Sequence, residues 1–227
     1  SSIAWNLAKS GLTRELIVIE PDPTYEFAAT PRAIGGIRFV QGLIENLKMS
    51  LYGRYVFKNF ARELNIQEDF VDLNFHECGY LFLGTGNTVK AFEENFRMLS
   101  EGGADIKLMD RISLESLLPS FNFKDIDVGL YSPSDSRIDP YSALRGFKQA
   151  TIDLGVDYKK DRVVDINHDH RRVKSVKLES GTFIPGDIIV NAANCWAPDI
   201  CKMVGMKVPI EPVRRQTFYF NMEKEIE

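Results

Sequence analysis

The sequence predicts an α/β fold in which a parallel sheet is interleaved with a mainly antiparallel α+β part. Three observations carry this. An apolar run, Leu16-Ile17-Val18-Ile19, follows a helical pattern and ends in an acid, Glu20. A second run, Asp187-Ile188-Ile189-Val190, leads into Asn191-Ala192-Ala193-Asn194. Short apolar runs without alternation are the pattern of parallel strands buried on both faces. Between the two lie glycine-bounded and hairpin-like strands, which suit an antiparallel sheet.

Along the chain, Ile3, Ala4, Leu7 and Ala8 mark one apolar face of a helix over residues 1–9, and Gly11 stands where a helix stops. This helix followed by the strand at residues 15–20 reads as the second half of a βαβ unit. The first strand and its glycine loop are expected upstream of Ser1, so the chain is expected to be part of a longer polypeptide. A loop over residues 21–38 precedes a long helix with Leu43, Leu47, Leu51, Tyr55 and Val56 on one side. Strands are expected at 79–84, 105–109 and 128–131, and a helix at 89–99. Asp139-Pro140 opens another helix with an acidic cap and a proline in its first turn, closing at Gly155. Residues 163–167 and 173–178 form a hairpin, 182–184 adds a third strand, 187–190 forms a buried strand, and 214–221 ends the chain as an antiparallel strand.

The 227 residues carry 28 Lys plus Arg against 32 Asp plus Glu, a formal charge of −4. That acidity argues against nucleic acid, which needs a concentrated basic face. Aromatic residues, including Phe218, Tyr219 and Phe220, are read as sheet packing. No apolar run reaches the roughly 18 residues of a spanning helix. The three cysteines, Cys78, Cys195 and Cys201, include no C-x-x-C pair; this excludes a disulfide framework and fits a reducing, cytoplasmic setting, with an organelle or peripheral membrane association left open. His168 and His170 flank Asp169 at a hairpin tip with no third ligand in sequence, so no metal site is assigned.

Three segments carry chemistry. Glu20, at the end of a parallel strand, is placed to accept from both hydroxyls of an adenosine ribose, and its charge repels a 2′-phosphate. The alternative is a solvated acid at a strand end. The loop Ala29-Thr30-Pro31-Arg32-Ala33-Ile34-Gly35-Gly36-Ile37-Arg38 combines a hydroxyl, two arginines and paired glycines, a composition suited to a pyrophosphate or carboxylate. It also suits an ordinary connector. The small residues Ala192 and Ala193 leave room for a ligand at a strand's carboxyl end, or simply let a helix pack closely.

Taken in order, these segments, together with Cys78-Gly79-Tyr80-Leu81-Phe82-Leu83, Ile138-Asp139-Pro140, Val163-Val164-Asp165-Ile166 and Asn194-Cys195-Trp196, resemble the FAD-dependent D-amino-acid oxidase and sarcosine oxidase superfamily. Within it the chain resembles the dimethylglycine and D-amino-acid dehydrogenase relatives. The resemblance covers nearly the whole chain. It implies a Rossmann-like FAD-binding domain over residues 1–75 and 138–204, and a substrate domain over 76–137 and 205–227. It implies oxidation of the C–N bond of an amino acid or secondary amine by hydride transfer to FAD.

By the same resemblance, Glu20 matches the ribose acid and Pro21 follows it in the wrapping turn. Thr30, Arg32, Gly35, Gly36 and Ile37 match the loop along the pyrophosphate and flavin. Arg38 matches an arginine near the isoalloxazine ring and is the candidate catalytic residue. Val163 matches a backbone contact to adenine, and Ala192, Ala193 and Trp196 match the turn lining the dinucleotide. Arg32 stands where some relatives attach flavin through a histidine, which implies non-covalent FAD. Asn194 replaces the usual glycine of the turn, and Asn is the residue that best tolerates a left-handed backbone in glycine's place. Cys195 is read as buried filler. Gln41 stands where some relatives bind substrate carboxylate with arginine. Alternatives from other classes are a NAD-dependent dehydrogenase and a non-catalytic FAD-fold assembly factor. Since a central strand is placed outside residues 1–227, these residues alone are expected to be poorly soluble and not to retain FAD.

Overall fold

The computed structural model describes residues 1–12, 15–67, 70–169, 171–218 and 221. Its elements run α1 (Ser2–Ser10), β1 (Ile17–Ile19), β2 (Gly36–Ile37), α2 (Ile44–Lys58), α3 (Phe60–Leu64), β3 (His76–Glu77), β4 (Tyr80–Gly84), α4 (Val89–Glu101) and β5 (Lys107–Met109). They continue with α5 (Arg111–Leu117), β6 (Val128–Ser132), β7 (Ser136–Arg137), α6 (Pro140–Asp153), β8 (Asp157–Lys159), β9 (Val163–His168), β10 (Val173–Leu178), β11 (Phe183–Pro185) and α7 (Ala197–Lys202). The result is the mixed α/β architecture expected, with one parallel pair and three antiparallel sheets among the described residues. Contacts divide the chain into two units. One holds Ser1–Asn6 and Ala28–Leu154, the other Leu7–Phe27 and Gly155–Asn221.

In the first unit β7 lies between β2 and β3, pairing Ile37 and Glu77 with Ser136. A second sheet sets β6 between β4 and β5. Helix α2 serves two cores. Leu47 is buried with Phe39, Leu99 and Leu130, whereas Val56 is buried with Trp5, Phe60 and Ile138. Leu47 and Val56 are about two and a half helical turns apart, hence on opposite faces. The single apolar face expected from Leu43 to Val56 is therefore not what forms. Leu43 is exposed at the N-cap, and exposed Tyr55 donates its hydroxyl to Glu63 at 2.9 Å. The helix breaks at Asn59 before α3.

Helix α6 starts as its sequence specifies. Asp139 accepts from the N–H groups of Tyr141 and Ser142, and Pro140 takes the first turn, where its missing N–H costs nothing. The residues just before it are stitched backward: Ile138 N–H donates to the Gly35 carbonyl at 3.0 Å and Asp139 N–H to Leu73 at 2.7 Å.

In the second unit β1 and β8 pair in parallel, with Ile17 opposite Asp157. The hairpin β9–β10 and the added strand β11 form as expected, in order β11-β10-β9. Three expectations fail here. Strand β1 is half-buried rather than fully buried, with β8 as its neighbour. Residues 187–190 form no strand: Ile189 packs on the core of Ile166, Val176 and Leu178, but Ile188 is 84% exposed. A strand is buried on both faces only when layers cover it and its edges are paired, and no described strand pairs with this run. Residues 214–218 also form no strand, and Phe218 is exposed rather than packed in a sheet. Tyr219 and Phe220 of that expected strand lie outside the described residues, as does His170.

Gly35 is the tightest backbone approach in the first unit. It sits at φ +80°, and a Cβ there would lie 2.0 Å from the Ile138 carbonyl oxygen. Both the left-handed backbone and the contact exclude a side chain. Gly35→Ala is expected to destabilise by at least the roughly 1–3 kcal/mol of overpacking. Urea denaturation of the variant beside the parent measures it.

Candidate functional site

The site residues expected from the sequence fall into two groups, one in each unit. In the second unit Glu20 follows β1, and its N–H donates to the Lys159 carbonyl at 3.0 Å, one step beyond the β1–β8 ladder. Its Oε1 accepts from Asp22 N–H at 3.0 Å, so the carboxylate also closes the turn through Pro21. Asp22 organises the next turn by accepting from Thr24 and Glu26, and the Thr24 hydroxyl holds its carboxyl below the usual range.

Val163 opens β9, half-buried against the core of the second unit. The turn with Ala192, Ala193 and Trp196 is held by Asn191, a residue given no role from sequence. Asn191 accepts from Ala193 N–H at 3.2 Å and donates to the Ala197 carbonyl at 2.9 Å. Asn194 adopts φ +51°, the left-handed geometry anticipated for a residue standing in for glycine. Trp196 is half exposed, and Cys195 is half-buried rather than buried, because the short 3₁₀ turn at Asn194–Trp196 lies at the surface.

In the first unit Thr30 and Arg32 form a 3₁₀ turn beside α6, both exposed. Gly35 is filled by its own chain at Ile138, whereas Gly36 is open: a Cβ there would meet only Arg38 Nε, at 4.0 Å. Ile37 is buried in the core. Arg38 is exposed, with its guanidinium carbon 5.2 Å from the centre of the Tyr80 ring, which stacks on Phe82 at 4.9 Å. Gln41 turns its amide inward to the Arg38 carbonyl at 3.0 Å and Ser50 at 3.2 Å, so it is committed to the loop's own structure.

Beneath Arg38 lies a polar cluster that sequence reasoning missed. Asp135 is fully buried. Its Oδ1 accepts from Phe39 N–H at 3.0 Å and from the Ser132 hydroxyl at 2.6 Å. Burial pushes its carboxyl above the usual value, against those hydrogen bonds and the fields of Arg38 and Arg54. Among the described residues, the buried side-chain polar atoms without a hydrogen-bond partner are Asp135 Oδ2 and Arg54 Nε. Arg54 and Lys58, from α2, both engage Glu77, and the Lys58 hydrogen bond at 3.2 Å leads in holding that exposed carboxyl below its usual range. Asp135 and Phe39 are 96 positions apart, so no local spacing could have signalled the pair.

Each unit thus carries its own set of polar groups: a strand-end carboxylate, Glu20, in the second, and in the first a loop with a hydroxyl, a guanidinium, an open glycine and Arg38. Residues 1–226 match the family described as FAD dependent oxidoreductase, or DAO. The chain belongs to the DAO family. The fold and FAD, rather than NAD, follow from that membership.

Among the relatives of this DAO chain, FAD-dependent oxidoreductase domain-containing protein 1 of Xenopus laevis is 26% identical over 235 residues, covering 90% of this chain and 47% of that protein. Mitochondrial dimethylglycine dehydrogenase of Homo sapiens is 27% identical over 218 residues, covering 95% of this chain and 24% of its own length. L-Proline dehydrogenase from P. horikoshii superposes with a TM-score of 0.73 at 26% identity, over 91% of this chain and 53% of that one. The chain thus spans about half the length, or less, of these relatives. Among the described residues no helix is long and apolar enough to cross a membrane.

The raised Asp135 carboxyl gives a signed expectation. A folded state that favours the protonated acid gains stability from it at low pH, and loses that gain as pH rises through the raised value. At neutral pH the buried charge is therefore a cost. Asp135→Asn, which keeps an acceptor oxygen, is expected to be at least as stable as the parent at neutral pH. The difference is expected to shrink in mildly acid buffer, as paired thermal melts would show.

Proposed function

We propose that the protein oxidises the C–N bond of an amino acid or secondary amine, using non-covalently bound FAD. The match along residues 1–226, which includes both the ribose-type acid Glu20 and the exposed Arg38 over Tyr80, carries the reading. Its support is that two relatives are named as dehydrogenases of dimethylglycine and of L-proline. When bound, FAD supplies the acceptor for the hydride that leaves the substrate Cα–H, giving an imine that water hydrolyses.

In this reading Glu20 accepts from the ribose hydroxyls, with Pro21 directing the chain around them. Val163, Ala192, Ala193 and Trp196 line the adenosine side. Thr30, Arg32, Gly35, Gly36 and Ile37 follow the pyrophosphate and flavin. Arg38 sets positive charge beside the flavin ring, which favours the negative charge that reduction adds. Residues 1–75 and 138–204 form the FAD-binding part, and 76–137 with 205–227 the substrate part. No general base is required if the amine binds neutral. The cytoplasm or an organelle interior is the proposed setting, the dimethylglycine relatives being mitochondrial by name.

Mixing the FAD-loaded full-length protein anaerobically with a panel of amino acids and N-methylated amines is expected to bleach the flavin with at least one. Retained flavin with no bleaching by any would favour an FAD-fold protein without amine turnover. Glu20→Ala is expected to weaken FAD binding, since buried hydroxyls left unpaired cost roughly 1–3 kcal/mol. Unchanged affinity in a fluorescence titration would overturn that assignment.

A further inference from the structure

Asp135 joins three stretches of chain that are distant in sequence. Its side chain takes Phe39 N–H, the first backbone donor after Arg38, and the hydroxyl of Ser132 at the end of β6. Its main-chain carbonyl accepts from Cys78 N–H at 3.1 Å and Gly79 N–H at 3.0 Å, the link between β3 and β4. The residue next to Gly79 is Tyr80, whose ring lies under the Arg38 guanidinium. One fully buried residue thus fixes both the backbone that launches Arg38 and the strand that carries its ring platform.

Strand β2 is only two residues long, so its own ladder is a weak hold on the backbone at Arg38 and Phe39. A buried N–H held by a carboxylate oxygen is a strong one. We infer that Asp135 is a positioning residue for Arg38, setting where its guanidinium stands relative to bound flavin. The inference rests on the reading of Arg38 as the flavin-side arginine.

The test is the midpoint potential of the FAD-loaded full-length protein in Arg38→Met, Asp135→Ala and Asp135→Asn, and in both Asp135 variants combined with Arg38→Met. Arg38→Met is expected to lower the potential. The two Asp135 variants lose the same charge, but only the amide keeps an acceptor for Phe39 N–H. Asp135→Ala is therefore expected to lie below Asp135→Asn, by at least half the Arg38→Met shift, with Asp135→Asn at or above the parent. With Arg38 replaced, the two Asp135 variants are expected to coincide.

Equal potentials for Asp135→Ala and Asp135→Asn while Arg38 is present would overturn the positioning role and leave the reading of Arg38 standing. A gap that persists unchanged in the Arg38→Met background would show that Asp135 does not act through Arg38. An unchanged potential in Arg38→Met would overturn the reading beneath, and the inference with it. If Asp135→Ala does not fold, Ser132→Ala takes its place, since it removes one of the two donors that orient Oδ1. A smaller downward shift, absent in the Arg38→Met background, supports the role, and a parental potential overturns it.

Discussion

The first unit depends on how the loop that ends in Arg38 is spliced to the segment around residues 132–139. Gly35 gives its carbonyl to Ile138 N–H, Ile37 pairs with Ser136, and Phe39 gives its N–H to Asp135. Three successive odd-numbered residues are thus bound to one stretch of chain about a hundred positions away. The closeness of that splice is what requires Gly35 to lack a side chain. Arg38, between Ile37 and Phe39, takes its backbone position from this splice, whereas Thr30 and Arg32 are set by their own local turn.

Burial of charge is the cost of the arrangement. Asp135 lies at the centre of the first unit's polar cluster, with one oxygen doubly hydrogen-bonded and the other without a partner. Isolated buried carboxylates are expensive, and the fields of Arg38 and Arg54 offset only part of that cost, since the carboxyl remains raised. The surface pairs around it, such as Lys58 with Glu77, are exposed and contribute little to stability. The gain lies in geometry. A carboxylate oxygen can hold two donors at once, and here one comes from the loop just after Arg38 and the other from the end of β6, whose Ser132 pairs with Tyr80.

The second unit organises its loops by simpler means. Glu20 and Asp22 each close a turn on the backbone two residues ahead, and Asn191 ties its own turn to the start of α7. Such short-range side-chain bonds are the usual way in which Asx-type residues shape a loop. They leave the loop carrying Ala192 and Ala193 defined even though residues 187–190 before it form no strand.

Local chemistry in the sequence was enough for the α/β class, the start of α6 at Asp139-Pro140, the hairpin of β9 and β10, and the left-handed backbone at Asn194. Each rests on interactions within a few residues: a cap, a turn, an alternation of apolar side chains. The family's ordered segments were legible in the same way, because they are contiguous. What needed the third dimension were the features made by distant partners. Helix α2 splits its apolar residues between two cores on opposite faces, which no single-face pattern shows. Ile188 is exposed because burial of a strand depends on neighbours and not on its own apolarity. Asp135 meets Phe39 only because β7 lies beside β2, so its importance comes from folding and leaves no mark in the residues around it.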